Sequence, residues 1–292
     1  MSGYNWPALP LESWKDTRDT LHMYMQVVGK IRLTLAPPEP EFAQVALYVT
    51  SRGLTTGPMP YGELTAQIDF DFIAHQLSVE TSAGDTQRVE LRPQTVRDFY
   101  AAVMSAFKAL GMPVAINPKP QEVANPIPFE DDVTHASYDA PSVNAFWRIL
   151  SSADNVFKIF RAPYRGRHTL VNVWWGSCDL AYSRYSGRPA APPPHSGYIM
   201  RHSMDAEEIS AGFWAGDDRY AAPAFYAYVY PKPDGIEKET IGPPSASWNA
   251  TLGEFLLPYE SVRNAPSPEA EILEFLESTY RTGRKLGNWP PS

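Results

Sequence analysis

Along residues 11–35 the apolar side chains Leu21, Tyr24, Met25, Val28, Ile31 and Leu35 recur at helical spacing. The pattern predicts a helix that starts near Leu11, just after Pro10, and stops before Pro37, because a proline pushes the residue ahead of it out of the α region. From Met23 onward the apolar positions run almost all the way round, which marks a helix buried on more than one side. His22, Gln26 and Lys30 interrupt this surface at i, i+4 and i+8 and share one stripe. Buried polar groups need partners, so two readings stand. Either Lys30 reaches water while His22 bonds locally, or the stripe faces a cavity and touches a ligand.

The pattern then shortens to period 2. Residues 44–50 and 66–73 read as strands separated by a Gly- and Pro-rich loop. In the second strand Ile68, Phe70 and Phe72 alternate with Asp69 and Asp71, so the acids share the face away from the core, with His75 close behind. Residues 76–81 and 87–91 form a hairpin. Thr95 caps a helix with Val96, Phe99, Val103 and Phe107 on its apolar face, and Gly111 closes it. A short strand is expected at 113–116, followed by a Pro-rich segment at 117–128, where the boundary between two halves, 1–128 and 129–292, is placed.

The second half opens with a helix capped by Asp139, with Pro141 in its first turn and Pro163 beyond its end. Strands are expected at 169–175, 178–185, 209–214, 224–230 and 253–257, and a last helix opens at Ser267 and Pro268 and frays near Gly283. The order helix, antiparallel strands, helix thus occurs twice. It predicts an α+β fold of two pseudo-equivalent halves, each a mainly antiparallel sheet flanked by long helices, within one integrated unit.

Composition narrows the functional classes. A formal charge of −8 repels phosphate backbones, so nucleic-acid binding is not expected, and Arg161, Arg165, Arg167 and His168 form the one local basic patch. A single cysteine excludes an intramolecular disulfide framework. No apolar run reaches the ~18 residues of a membrane span, and the N-terminus carries no leader pattern, so a cytoplasmic protein is expected.

The densest chemistry lies at 171–188, VNVWWGSCDLAYSRYSGR. Asp179 and Arg184 read as a ligand clamp or a cross-strand ion pair. Cys178 invites a thiol nucleophile with His168 or His202 as base, against an ordinary small buried residue. In the strand at 224–230, Tyr226, Tyr228 and Tyr230 share one face and Phe225, Ala227 and Val229 the other, giving a tyrosine ladder opposite a core face. Asp69, Asp71 and His75 could ligate a metal or be solvent-facing side chains, and no metal site is assigned. Walker, Rossmann, G-x-S-x-G, H-E-x-x-H and Cys-x-x-Cys motifs are absent from the sequence.

The segments TLHMYMQVVGKIRLTLAPP (20–38), LYVTSRGLTTGPMPYG (47–62), WWGSCDLAYSRYSGRP (174–189), SAGFWAG (210–216), FYAYVYPKP (225–233) and GEFLLPY (253–259) resemble the blocks of an uncharacterised bacterial family, domain of unknown function 5996. The resemblance implies a single unit spanning both halves and a bacterial source, and brings no activity, cofactor or catalytic residue. Cys178 departs from that family's pattern, which tends to carry an aromatic such as Phe there. The expectation is a small polar or aromatic ligand in a cleft between the halves. Its candidate contacts are His22, Gln26 and Lys30 on the first helix, Trp174, Trp175, Asp179 and Arg184 in the dense stretch, and His202, Trp214, Tyr226 and Tyr228 beyond it. The competing expectation is a protein-interaction module that uses exposed aromatics and the proline run at 189–194.

Overall fold

The computed structural model describes residues 6–290. A single 3-10 turn, Leu11–Ser13, leads into helix α1, Lys15–Leu35, which ends where Ala36 turns extended ahead of Pro37. Every α1 residue from Thr20 to Arg32 is buried, as the all-round apolar pattern requires.

The first sheet is an antiparallel meander of β1 (Tyr48–Val49), β2 (Gly53–Thr55), β4 (Leu64–Asp71), β5 (Gln76–Thr81) and β6 (Thr86–Glu90), with β3 (Met59–Tyr61) paired to β4. Two expectations change here. The strand foreseen at 44–50 shrinks to β1, because Pro40–Val45 winds into 3-10 turns with Glu41 and Phe42 at positive φ. The Gly- and Pro-rich loop contains β2 and β3, whose pairing with β4 overrides their loop-like composition. Helix α2 is Val96–Ala109, and the Thr95 hydroxyl accepts from the Asp98 N–H as foreseen. No strand forms at 113–116; the chain from 112 to 139 is irregular.

Helix α3, Ala140–Arg161, starts with the Asp139 carboxylate accepting from the Ser142 N–H. The second sheet follows in the order β11-β12-β10-β9-β8-β7, again antiparallel throughout. Its strands are β7 (Asn172–Trp174), β8 (Asp179–Pro189), β9 (Ala206–Trp214), β10 (Ala224–Tyr230), β11 (Ser247–Asn249) and β12 (Glu254–Pro258), with the short helix α4 (Tyr198–Ser203) between β8 and β9. After a further short helix, α5 (Tyr259–Arg263), α6 runs from Pro268 to Leu286. Rather than fraying at Gly283, α6 continues because that glycine seats the helix on β10 and β9: a Cβ there would lie 2.6 Å from the Val229 side chain. The fold is therefore α+β in two halves, each with a leading helix, six strands and a closing helix, to which the second half adds the short α4 and α5.

The two sheets meet edge to edge. Leu47 N–H donates to Val173 O (2.9 Å) and Val173 N–H to Leu47 O (2.8 Å), which ties the entry to β1 to β7. Indole N–H groups reinforce the seam, Trp175 to Val45 O at 2.9 Å and Trp147 to Thr50 O at 3.1 Å. One contiguous apolar core runs from Leu9 through α1, both sheets and α6 to Trp289.

Candidate functional site

Strand registers divide the second sheet into two unlike faces. On one, Leu180, Tyr182 and Arg184 of β8 stand beside Ile209, Ala211 and Phe213 of β9 and Phe225, Ala227 and Val229 of β10, packed by α3 and α6. On the other stand Trp174 of β7, Asp179 and Ser183 of β8, Glu208, Ser210, Gly212 and Trp214 of β9, Tyr226 and Tyr228 of β10, and Glu254 of β12. The sequence pattern foresaw the alternation along β10; the pairing extends it to neighbouring strands.

At one end of the polar face, beside the β7–β8 turn, lies a row. Asp179 sits directly opposite Trp174 on one side and Trp214 on the other, which brings the Cβ atoms of each pair within about 5 Å. The Tyr226 hydroxyl donates to one Asp179 oxygen and the Ser177 hydroxyl to the other. Tyr226 reaches across β9 because Gly212 leaves it room: a Cβ at 212 would sit 2.4 Å from its ring and equally close to Leu180 O. Burial raises the Asp179 carboxyl above its usual range, and the two hydroxyl donors oppose the rise.

A second acid lies towards the other end of this face, six residues from Trp214 and so about 20 Å along β9. Glu208, 4% exposed, accepts from the Tyr228 hydroxyl at 3.2 Å, while Ser183 donates to Ser210 at 2.9 Å beside it. Desolvation pushes Glu208 up to about 7, against help from Tyr228 and Ser183. Half-buried Glu254 also rises to about 7, from burial first, with Arg219 opposing and Asp179 and Asp217 adding to it. Such carboxyls take up and release protons near neutrality. Two buried polar atoms on this face have no partner among the described residues: Asn172 Oδ1, on β7 two residues from Trp174, and Trp214 Nε1.

The polar stripe of α1 ends behind this row. His22 Nε2 lies 3.0 Å from Trp175 O and 2.9 Å from Gly176 O, so that nitrogen carries a proton. Burial, with Arg18 nearby, holds the imidazole down to about 4 and hence neutral. The Gln26 amide brackets the Gln121 backbone, donating to its oxygen and accepting from its N–H, both at 2.7 Å. Glu122 follows, and its Oε2 would be 2.8 Å from a Cβ on Gly176. The stripe and the tyrosine ladder therefore approach the same β7–β8 turn, from its two ends.

The remaining predicted residues scatter. Lys30, 2% exposed, lies about 12 Å along α1 from His22, makes no side-chain hydrogen bond or ion pair among the described residues, and is lowered by desolvation to about 8. Trp175 turns away from the row and packs its indole over Gly29. Arg184 cannot clamp anything with Asp179, since five positions along a strand put them on opposite faces. Its guanidinium is instead held by rings, 3.6 Å from the Phe160 centroid and 4.3 Å from that of Tyr280, and donates to Phe160 O at 2.6 Å. His202 rests on α4 against Phe42 and donates to Tyr198 O at 2.7 Å.

Cys178 is buried at φ 60°, its thiol pushed up to about 11 by burial, so it is no thiolate at neutral pH. Asp69 accepts from Gln67, Asp71 pairs with Arg52 at 2.6 Å, and His75 contacts the Tyr138 hydroxyl, so these three serve separate local bonds. Of the basic patch, Arg167 pairs with Glu41. No group of three metal-ligating side chains occurs among the described residues, and none of their helices is long and apolar enough to cross a membrane.

Glu208 and Glu254 escaped the sequence reading. Extending the strand expected at 209–214 by one residue, at period 2 from Ser210, would have placed Glu208 on the tyrosine face. Glu122 left no signal, because it sits at positive φ in an irregular segment.

Searches among curated proteins and among solved structures found no match to the chain. A family model does match, over residues 6–292, almost end to end. The chain accordingly belongs to that family, the family of unknown function DUF5996.

Proposed function

We propose that the polar face of the second sheet binds a small molecule with polar and aromatic character, at the junction where α1 and the 117–128 segment approach β7 and β8. The observation that carries this reading is the row Trp174, Asp179, Trp214, with the Tyr226 hydroxyl on the acid and two unpartnered buried polar atoms, Asn172 Oδ1 and Trp214 Nε1, beside it. Leaving such atoms unpaired costs about 1–3 kcal/mol each, a cost that a ligand's polar groups offset on binding. Rings flanking a carboxyl suit a molecule with a flat or apolar part and one polar handle.

Native mass spectrometry of the protein as purified, against its denatured mass, tests the reading. The expected result is a reproducible small-molecule adduct that Gly212→Ala removes, since the added methyl displaces Tyr226 from Asp179. A clean mass, with no probe binding at this face, would sink it.

A second reading, docking of a protein partner, draws on exposed Tyr198 and Met200 on α4, next to the 189–194 proline run. It expects a discrete oligomer or heterocomplex by light scattering, and a monodisperse monomer would count against it.

A further inference from the structure

The two carboxyls at the Asp179 end of the polar face, Asp179 and Glu254, have no basic side chain within ion-pair distance among the described residues. The nearby arginines are already committed. Arg219 grips Asp217 with two nitrogens, at 2.9 and 2.6 Å, and Arg18 bonds Asp19 at 2.7 Å. Beyond the effect of burial, Asp179 raises Glu254 by like-charge repulsion, with Arg219 opposing. A cation placed between the two acids would relieve that repulsion.

The surroundings of Asp179 say which kind of cation fits. Its two cross-strand neighbours are both indoles, and Tyr226 adds a third ring at 6.3 Å from that of Trp214. Aromatic faces within about 6 Å of a positive centre attract it, and the attraction strengthens as water is excluded. Asn172 Oδ1 is an acceptor on a side chain 1% exposed, on the same face and without a donor, so an ammonium N–H would satisfy it. A bare metal ion is disfavoured, since no three ligating side chains converge.

We infer that the row Trp174, Asp179, Trp214, closed by Tyr226 and Glu254, binds an organic cation: a protonated amine carried on an apolar or aromatic group. The ammonium sits against Asp179 and Asn172 Oδ1, and the apolar part lies between the indoles. A ligand that also carries an acceptor next to the amine uses Trp214 Nε1. This inference rests on the small-molecule reading above and narrows it to one charge class.

Three probes of nearly equal size separate the possibilities: benzylammonium, benzyl alcohol and benzoate, each titrated by ligand-observed NMR and indole fluorescence against the full chain. Benzylammonium is expected to bind at least about tenfold more tightly than benzyl alcohol, through the added charge-assisted and cation–π contacts. Asp179→Asn, and independently Glu254→Gln in case the first variant misfolds, should each reduce that preference, the ratio of the two affinities measured in the same variant, at least about threefold. Equal or tighter binding of benzyl alcohol or benzoate overturns the cation inference and leaves the small-molecule reading standing. Full retention of the preference in both variants also overturns it. Absence of binding by all three probes, with a clean native mass, overturns both.

Discussion

Glu208 offers the sharpest test of the polar face, because one isosteric change alters its charge and almost nothing else. In the folded chain its carboxyl titrates near 7, against an ordinary 4.5, and burial is the main cause. The folded state therefore holds a proton that the unfolded state has released between those values. Stability from this group is complete below about pH 4.5 and is lost as pH rises through about 7. Such a rise corresponds to about 3 kcal/mol of resistance to ionisation, and with the side chain only 4% exposed, solvent screening removes little of it. Glu208→Gln cannot ionise. Its oxygen still accepts from Tyr228 and its amide can donate to Ser183, so the local bonding survives.

Urea unfolding of both proteins should give the same stability, within about 1 kcal/mol, near pH 5, and an advantage of about 2–3 kcal/mol for the variant near pH 8.5. The other groups coupled to Glu208 are Asp205, Tyr185, Tyr228 and Tyr230, and the three tyrosines, all raised above their usual range by burial, stay neutral through pH 8.5 in both proteins. A difference independent of pH, or a variant less stable at pH 8.5, would refute the view of Glu208 as an unpaired carboxyl in a desolvated setting.

Three further outcomes are expected. Gly29→Ala should destabilise by about 1–3 kcal/mol in chemical denaturation despite alanine's better helix propensity, because its Cβ would lie 2.2 Å from the Trp175 indole. His22, lowered to about 4, should appear by nitrogen NMR as the neutral Nε2–H tautomer near pH 5.5. Its contribution to stability is present above 6.5 and lost as pH falls towards 4, the opposite limb to Glu208; an imidazolium signal at pH 5.5 would contradict the burial argument. Cys178, buried with its thiol near 11, should resist iodoacetamide near pH 8 in the native chain and react fully in urea, as read by mass spectrometry.

The long helices were legible because their ends carry local chemistry: Thr95 and Asp139 at the caps, Pro37 and Pro163 as stops. Strand β10 was legible because Phe225, Ala227 and Val229 alternate with Tyr226, Tyr228 and Tyr230 without a break. Strands β2 and β3 were not, since their three-residue stretches owe their form to pairing with β4 rather than to their own composition. The site was half visible. Parity along β10 put Tyr226 and Tyr228 on one face, whereas Trp174 and Asn172 of β7, Asp179 of β8, Trp214 of β9 and Glu254 of β12 join them only through strand pairing. The suggested partnership of Asp179 with Arg184 was excluded by parity alone, and the sequence already contained that answer.

The seam at Leu47 and Val173 has a consequence for solubility. Two separate meanders would present four lateral borders of unsatisfied backbone, each a template on which another copy could stack. The seam occupies β1 and β7, the two-residue and three-residue borders, and leaves β6 and β11 as the outer ones. Severing the chain between the halves would bare the inner borders again, so either fragment expressed alone should drift towards aggregation even where its helices remain intact.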